Sequence, residues 1–179
     1  ALQYKPEFVR TSNSTRFLNS RELRQTFFEE MVLDGRHFGG GISGVRRTDL
    51  LAVGGFDCNF DKYGSEDVAL GLRLVGLGRN IRFVSEAKAD HYDKVTPFRL
   101  RTKTIENAQH GLTYLFEKFG DKSGLGKFRS CAYRLSKCSF VPIFYLSLIL
   151  EYILFRLCLI CEKRPQLYSK TLYVLLSCL

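Results

Sequence analysis

The sequence predicts a mixed α/β domain that is followed by apolar helices. Apolar residues step by three and four between residues 97 and 119, as in an amphipathic helix, and they alternate around Ile81 and Phe83, as in a strand. Residues 140–161 carry only two charges, which predicts an apolar helix of about 20 residues. The expected segments are a folded domain, a basic linker and a hydrophobic, membrane-associated helical tail, over residues 1–120, 121–139 and 140–179.

The composition is that of a globular chain with an excess of positive charge. Of its 179 residues, 45% are hydrophobic and 25% are charged, and the formal net charge is +9. This charge favours anionic partners such as nucleotide phosphates or lipid headgroups. Because the basic residues are spread out and form no recognised motif, we expect no nucleic-acid partner.

The first third of the chain predicts little regular structure. The polar residues 1–18 indicate an extended or loop segment, and Ser20 is expected to cap a helix over residues 21–33. The glycine-rich residues 37–45 predict a strand at the edge of a ligand pocket, because glycine allows a ligand or backbone to come close.

Three helices and one strand are predicted in the middle of the chain. A short helix over residues 49–53 ends at Gly54, and a second helix begins at Ser65 or Glu66. Its buried stripe is expected to contain Ala69, Leu72 and Val75, with Leu74 as a further candidate. A short strand over residues 81–84 and a loop over residues 87–93 precede the helix over residues 97–119, which Thr96 and Pro97 start.

The apolar tail allows three arrangements. Glu151 and Arg156 would each cost about 2.5–3.5 kcal/mol at the centre of a bilayer, and basic residues flank the run on both sides. The tail is therefore a single span, an in-plane or re-entrant helix pair on an anionic leaflet, or a buried hairpin. The cysteines concentrate here as small hydrophobic groups, and they indicate a reducing compartment. We expect the cytoplasmic face of a membrane.

Three features in a fixed order carry the chemistry of the chain. They are Gly54-Gly55-Phe56-Asp57, then Tyr63-Gly64-Ser65-Glu66-Asp67, then His91. Together they read GGFDxxFxxYGxEDxxLGxRLxxxGxxIxFxxxAxxxH. This pattern resembles the C-terminal half of family 2 glycosyltransferases of the GT-A type, especially the galactosyltransferase-like C-terminal region. The resemblance covers residues 37–119 and implies that residues 1–120 are the C-terminal part of a Rossmann-like GT-A domain.

The resemblance implies that Asp67 is the catalytic base. Glycosyl transfer requires that an acceptor hydroxyl lose its proton as it attacks the anomeric carbon, and a carboxylate can take that proton. Glu66 would then bind the acceptor or orient the site. The alternative is that both acids only stabilise the first turn of a helix, where negative charge is favourable.

The resemblance also implies residues that bind the substrates. Gly54 and Gly55 would allow close approach of a sugar, and Asp57 would bind a sugar hydroxyl or, alternatively, act as a turn residue. The full set of predicted substrate-binding residues is Gly54, Gly55, Phe56, Asp57, Tyr63 and Gly64.

A divalent cation would neutralise the nucleotide leaving group, and His91 stands where the family has a metal ligand. Imidazole favours Mn²⁺ over Mg²⁺, which prefers oxygen ligands. The alternative is a histidine that is hydrogen-bonded in a loop without a metal.

The predicted reaction is transfer of a hexose from a nucleotide sugar, of the UDP-linked class, to a hydroxyl of a glycan or polyprenyl-linked glycan. The resemblance implies inversion at the anomeric carbon and a role in polysaccharide biosynthesis. The chain has no Trp and hence no QxxRW motif, so we expect a non-processive enzyme.

The chain also lacks the DxD motif of the nucleotide-binding half, so we expect a fragment that is inactive in isolation, or else a chain that another polypeptide completes. The alternative is a non-catalytic, membrane-associated carbohydrate-binding or scaffolding relative.

Overall fold

The computed structural model of the chain describes residues 2–22, 27–123 and 141–164. These residues divide into two compact units, each discontinuous in sequence. The first unit holds Leu2 with residues 27–89 and 105–123, and the second holds residues 3–22, 90–104 and 141–164. Most of the predicted linker and the apolar residues 171–179 lie outside the described residues, and the division into domain, linker and tail stays a prediction.

The mixed helix and sheet class is confirmed, although the strands are short. Strand β1 (Leu2–Tyr4) pairs with β4 (Ala89–His91), where a loop is predicted, and β2 (Val32–Leu33) pairs with β3 (Ile81–Arg82). Within the described ranges these are two separate two-stranded sheets. A Rossmann-like GT-A sheet therefore stays a prediction.

The prediction of a loop over residues 1–18 is wrong. Helix α1 (Pro6–Thr11) begins at a proline, whose missing N–H is not needed in a first turn, and α2 (Asn13–Glu22) follows it. The polar residues at the start of α2 are buried, and Ser12 Oγ donates a hydrogen bond to the Val95 carbonyl oxygen at 2.7 Å. Composition cannot reveal such an internal partner, so the polar segment resembles a solvated loop.

The predicted helix over residues 21–33 is also wrong. Helix α2 ends at Glu22, and the last two residues of the predicted helix are strand β2. This strand is antiparallel to β3, with Val32 opposite Arg82 and Leu33 opposite Ile81. Pairing with a segment that is distant in sequence outweighs the local helical pattern, as tertiary context often does.

Helix α4 (Glu66–Gly76) makes one contact through glycine, in which backbone meets backbone. The predicted glycine-rich strand over residues 37–45 is wrong, because these residues form turns and irregular loop after a 3₁₀ helix (Gly35–His37). The 3₁₀ helix lies against α4. A Cβ atom on Gly71 would lie 2.1 Å from the Gly35 carbonyl oxygen. The two backbones therefore approach so closely that no side chain fits between them.

This contact sets which face of α4 is buried. Ala69, Leu70 and Leu74 are buried, and the last two form a core cluster with Phe38. Of the predicted stripe Ala69 and the further candidate Leu74 are buried, whereas Val75 is 41% exposed and Leu72 is half-buried. Helix α4 contacts the Gly35 backbone at Gly71, so its buried face is centred near Gly71 and not on the line from Ala69 to Val75.

The remaining predicted helices are confirmed. Helix α3 (Arg47–Ala52) lies within two residues of its predicted bounds. The predicted helix over residues 97–119 is α5 (Pro97–Glu106) and α6 (Leu112–Phe119), which a π-helical turn (Asn107–Gly111) separates. The period of three and four predicts the helix, but it does not predict the extra residue in one turn.

The second unit contains helix α7 (Val141–Lys163). Its core is formed by Phe17, Val95, Leu100, Leu154 and Cys158, and burial raises the pKa of the Cys158 thiol to about 12. No helix in the described ranges combines the length and apolar character needed to cross a bilayer.

We predict that Gly71→Ala destabilises the protein by about 1–3 kcal/mol, because the new methyl group would overlap the Gly35 backbone. Gly76→Ala in the same helix is the matched control, since a Cβ atom there meets nothing within 4 Å. The control is expected to be neutral or slightly stabilising. Urea unfolding midpoints measure both changes, and equal midpoints for the two variants would contradict the close packing.

Candidate functional site

The double glycine of the GGFD motif ends helix α3. The Gly54 amide donates to the Leu51 carbonyl at 3.0 Å, and the Gly55 amide donates to the Leu50 carbonyl at 2.9 Å. These are the two hydrogen bonds of a Schellman motif, which requires a left-handed residue. Both glycines have positive φ, of 80° and 71°. The positive φ angles alone account for the presence of glycine at both positions. Close approach of a sugar to these glycines stays a prediction.

Asp57 of the same motif is fully engaged within the first unit. Its Oδ1 accepts hydrogen bonds from the Asn59 amide at 3.0 Å and from Asn59 Nδ2 at 2.9 Å. Its Oδ2 accepts from the Tyr114 hydroxyl at 3.1 Å and from Lys118 Nζ. The Lys118 ammonium and the Asn59 amide hold the pKa of Asp57 well below its ordinary value.

Two of these four hydrogen bonds, those from Tyr114 and Lys118, tie the loop after α3 to helix α6. Only 7% of the Asp57 side chain is exposed, and Phe60 adds an edge-to-face contact with Tyr114 at 4.9 Å between ring centroids. The geometry favours the alternative in which Asp57 is a turn residue. Phe56 and Tyr63, by contrast, each expose about half of their surface, at 51% and 49%.

The start of α4 sits on the π-helical turn. Ser65, which precedes the helix, has a φ of 69°, and its Oγ donates a hydrogen bond to Asn107 Oδ1 at 2.8 Å. A Cβ atom on Gly64 would lie 2.3 Å from Asn107 Oδ1, and one on Gly111 would lie 2.3 Å from the Gly64 carbonyl oxygen. This close fit holds Ser65 in a left-handed conformation that a side chain disfavours.

Sequence reasoning missed Asn107 and Gly111 as residues that support the site. The available signal was Gly111 itself, because glycine inside a strongly periodic helix indicates a packing or functional constraint.

The acidic pair follows at the first two positions of α4. Asp67 is half-buried, its Oδ2 accepts a hydrogen bond from the Gly40 amide at 3.1 Å, and its Oδ1 accepts from the Val68 amide at 2.8 Å. The N-terminal end of a helix also favours negative charge. Asp67 is therefore an oriented carboxylate, and the glycine-rich loop contacts it through Gly40.

Glu66 differs from its neighbour in having an unsatisfied atom. Its Oε2 is buried and accepts no hydrogen bond from the residues that the structure describes. A buried carboxylate oxygen without a donor is unfavourable, and a donor that reaches it would stabilise it. The pair thus combines one oriented carboxylate with one carboxylate that lacks a donor.

A cleft of about 940 Å³ lies near the other end of α4. Arg36, Arg73 and Lys122 line it beside apolar side chains, and it contains none of the predicted site residues. Arg73 Nη1 donates to the Val53 carbonyl at 2.8 Å, whereas its Nη2 is buried without an acceptor among the described residues. This cleft and the acidic pair are therefore separate.

His91 belongs to the second unit, in strand β4. Its ring stacks on Tyr4 at 4.6 Å, and its Nδ1 accepts a hydrogen bond from the Asp93 amide at 3.1 Å. A neutral imidazole that coordinates a metal through Nε2 carries its proton on Nδ1. That proton would point at the Asp93 N–H, so the observed hydrogen bond could not form. Binding of a metal through Nε2 would therefore require the ring to give up this hydrogen bond, and the metal-ligand role of His91 stays a prediction.

The neighbouring acids of His91 are also engaged. Asp90 pairs with Lys5 at 2.9 Å, and Asp93 pairs with Arg99. Across residues 2–22, 27–123 and 141–164, no group of three or more His, Cys, Asp or Glu side chains could hold a metal ion.

We predict that Asp57→Asn lowers the free energy of unfolding by about 1–2 kcal/mol at pH 7, because it removes the charge that Lys118 contacts. Lys118 is more than a third exposed, so solvent screens the pair. Since the pKa of Asp57 is depressed on folding, its contribution is complete above the ordinary value of 3.8 and is lost as the pH falls below it.

The difference between wild type and Asp57→Asn should therefore shrink toward pH 2, which urea unfolding at several pH values measures. The control is Asp61→Asn, a change in an exposed acid of the same loop. An unfolding difference that stays constant from pH 7 to pH 2 would contradict the assigned ion pair.

Comparison with known families identifies a galactosyltransferase-like region. The family model described as the N-terminal domain of galactosyltransferase matches residues 26–96, which include the GGFD motif, the acidic pair and His91. No curated protein and no solved structure matched the chain. The galactosyltransferase-like part of the sequence prediction is confirmed, whereas membership of family 2 and the C-terminal half stay predictions. The chain thus contains a region similar to galactosyltransferases, which supports a glycosyltransferase activity.

Proposed function

We propose that the protein transfers a hexose from a UDP-linked nucleotide sugar to a hydroxyl of a glycan or polyprenyl-linked glycan, with inversion and one sugar at a time. One observation carries this proposal. The acidic pair lies in a galactosyltransferase-like region, at the start of a helix, and its Asp67 carboxylate is oriented by two backbone amides.

Asp67 acts as the general base in this proposal. The acceptor hydroxyl gives its proton to the Asp67 carboxylate while its oxygen forms a bond to the anomeric carbon of the sugar. The bond between that carbon and the diphosphate oxygen breaks, and the nucleoside diphosphate leaves with the electron pair. Attack from the face opposite the leaving group inverts the anomeric centre. The amides of Gly40 and Val68 hold the carboxylate in position for this step.

Glu66 binds the acceptor in this proposal. Its buried Oε2 lacks a donor among the described residues, and an acceptor hydroxyl is a donor of the right kind. Phe56 and Tyr63 contribute exposed aromatic surface for a sugar ring. Gly54, Gly55 and Gly64 shape the backbone of the loop that carries these residues, and the Asp57 carboxylate ties that loop to helix α6.

We predict that Asp67→Asn lowers the transfer rate by about 10²–10⁴-fold, because the amide cannot accept the proton. The assay uses the complete product of the gene and measures hexose release from UDP-hexose and incorporation into a glycan acceptor. Asp61→Asn is the matched control and should keep the wild-type rate. Circular dichroism and the unfolding midpoint check that Asp67→Asn keeps its fold.

Two results would overturn parts of this proposal. A turnover near wild type in Asp67→Asn would remove the base role. Glycan binding without detectable transfer in the wild-type protein would favour the non-catalytic, carbohydrate-binding alternative.

The proposal of Mn²⁺ with His91 as one ligand rests on the resemblance alone, and no step above depends on it. We predict that His91→Ala weakens the Mn²⁺ dependence of transfer, whereas His110→Ala, a change in an exposed histidine, does not. Activity titrations with Mn²⁺ and Mg²⁺ measure this. Identical titrations for wild type and His91→Ala would leave His91 as a hydrogen-bonded β4 residue.

A further inference from the structure

Helix α7 carries an exposed apolar stripe on one face. The six residues are spaced by one, three or four positions, so they follow one side of the helix over about 21 Å. Each of them exposes between 43% and 66% of its surface. We call this set the α7 stripe: Leu146, Ile149, Leu150, Ile153, Leu157 and Ile160.

The opposite face of α7 belongs to the second unit. Leu154 and Cys158 are buried in its core, and Glu151 forms an ion pair with Arg101, whose Nη2 donates to Glu151 Oε2 at 2.9 Å. Glu162 accepts a hydrogen bond from the Ser14 amide at 3.0 Å. Both acidic side chains of α7 are therefore engaged with protein partners of the second unit.

The charges that α7 exposes are all positive. Arg156 and Lys163 are exposed, and so is Tyr152. These three residues are separated by four and seven positions, so they line one flank of the α7 stripe. Arg164, next to the end of the helix, is exposed too. An apolar stripe beside cations and an aromatic residue has the composition of a helix at a lipid interface.

We propose that the α7 stripe binds the surface of an anionic lipid bilayer, with the helix lying in the plane of the membrane. The stripe enters the region between headgroups and acyl chains, while Arg156 and Lys163 reach the lipid phosphates beside it. This proposal does not depend on the proposed glycosyl transfer. It selects the in-plane arrangement among the three that the sequence allows.

Charge and packing favour an anionic bilayer surface over a membrane-spanning arrangement and over a second copy of the chain. A spanning helix exposes its whole circumference to lipid or to other spans, whereas one side of α7 is used by Leu154, Cys158 and the Arg101–Glu151 ion pair. A second copy of the chain would bring the same cations, and α7 exposes no acidic side chain to pair with them. Anionic lipid supplies the missing negative charge.

The test is sedimentation of the full chain with phosphatidylcholine vesicles that contain roughly 30% phosphatidylserine. Wild type is expected to bind, and the double variant Ile153→Glu/Leu157→Glu should bind at least about tenfold more weakly, because it puts charge on the stripe. Both substituted residues are exposed, so the fold should persist, which the unfolding midpoint checks. Leu51→Glu, at a residue 67% exposed in helix α3, is the matched control and should bind like wild type.

A second experiment tests the cations beside the α7 stripe. Arg156→Gln/Lys163→Gln should weaken binding to the anionic vesicles by about fivefold for each cation removed, with little effect on pure phosphatidylcholine. The proposal is overturned if wild type does not bind, or if the stripe variant and Leu51→Glu bind alike. A concentration-dependent dimer that the stripe variant abolishes would also overturn it, in favour of a second copy.

Discussion

The close approach of backbones around helix α4 is the constraint on which the candidate site depends. Gly71 touches the backbone of Gly35, and Gly64 touches Gly111 through the same kind of contact. Protein interiors are packed densely, so a methyl group at such a position forces a neighbour to move. Backbone contacts just before the helix and at its middle therefore fix the position of the acidic pair, and the strained Ser65 follows the first of them.

Three carboxylates of the galactosyltransferase-like region differ in what surrounds them. Asp57 receives four hydrogen bonds from its own chain and serves the fold, whereas Asp67 receives two from backbone amides. Glu66 has a buried oxygen with no donor among the described residues. The same functional group thus has three environments, and environment decides the task that a carboxyl group performs.

The second unit distributes polar and apolar side chains in an unusual way. The buried side chains of Ser12, Ser14 and Thr15 form hydrogen bonds to the Val95 carbonyl or to Glu162. Asn13 Nδ2 donates to the Cys161 carbonyl at 2.6 Å, whereas its Oδ1 accepts no hydrogen bond from the described residues. The apolar α7 stripe, in contrast, is exposed. A contiguous exposed apolar surface often marks an interaction site. Both features follow from α7 having one face in the core and one face outside it.

The sequence by itself determined the features that are local. The helix over residues 97–119, the helix that begins at Glu66 and the end of α3 at Gly54 all follow from periodicity, caps and glycine, which act within a few residues. The ordered motif likewise identified a galactosyltransferase-like region without any structure.

Only the tertiary structure decided what depends on partners far along the chain. It turned Val32 and Leu33 into a strand, because they pair with β3, and it buried the polar residue Ser12 against Val95. It also separated the roles of Asp57 and Asp67, since Lys118 engages one and Gly40 the other. Hydrogen bonds and close packing between distant segments leave no periodic trace in a sequence, so no local pattern can predict them.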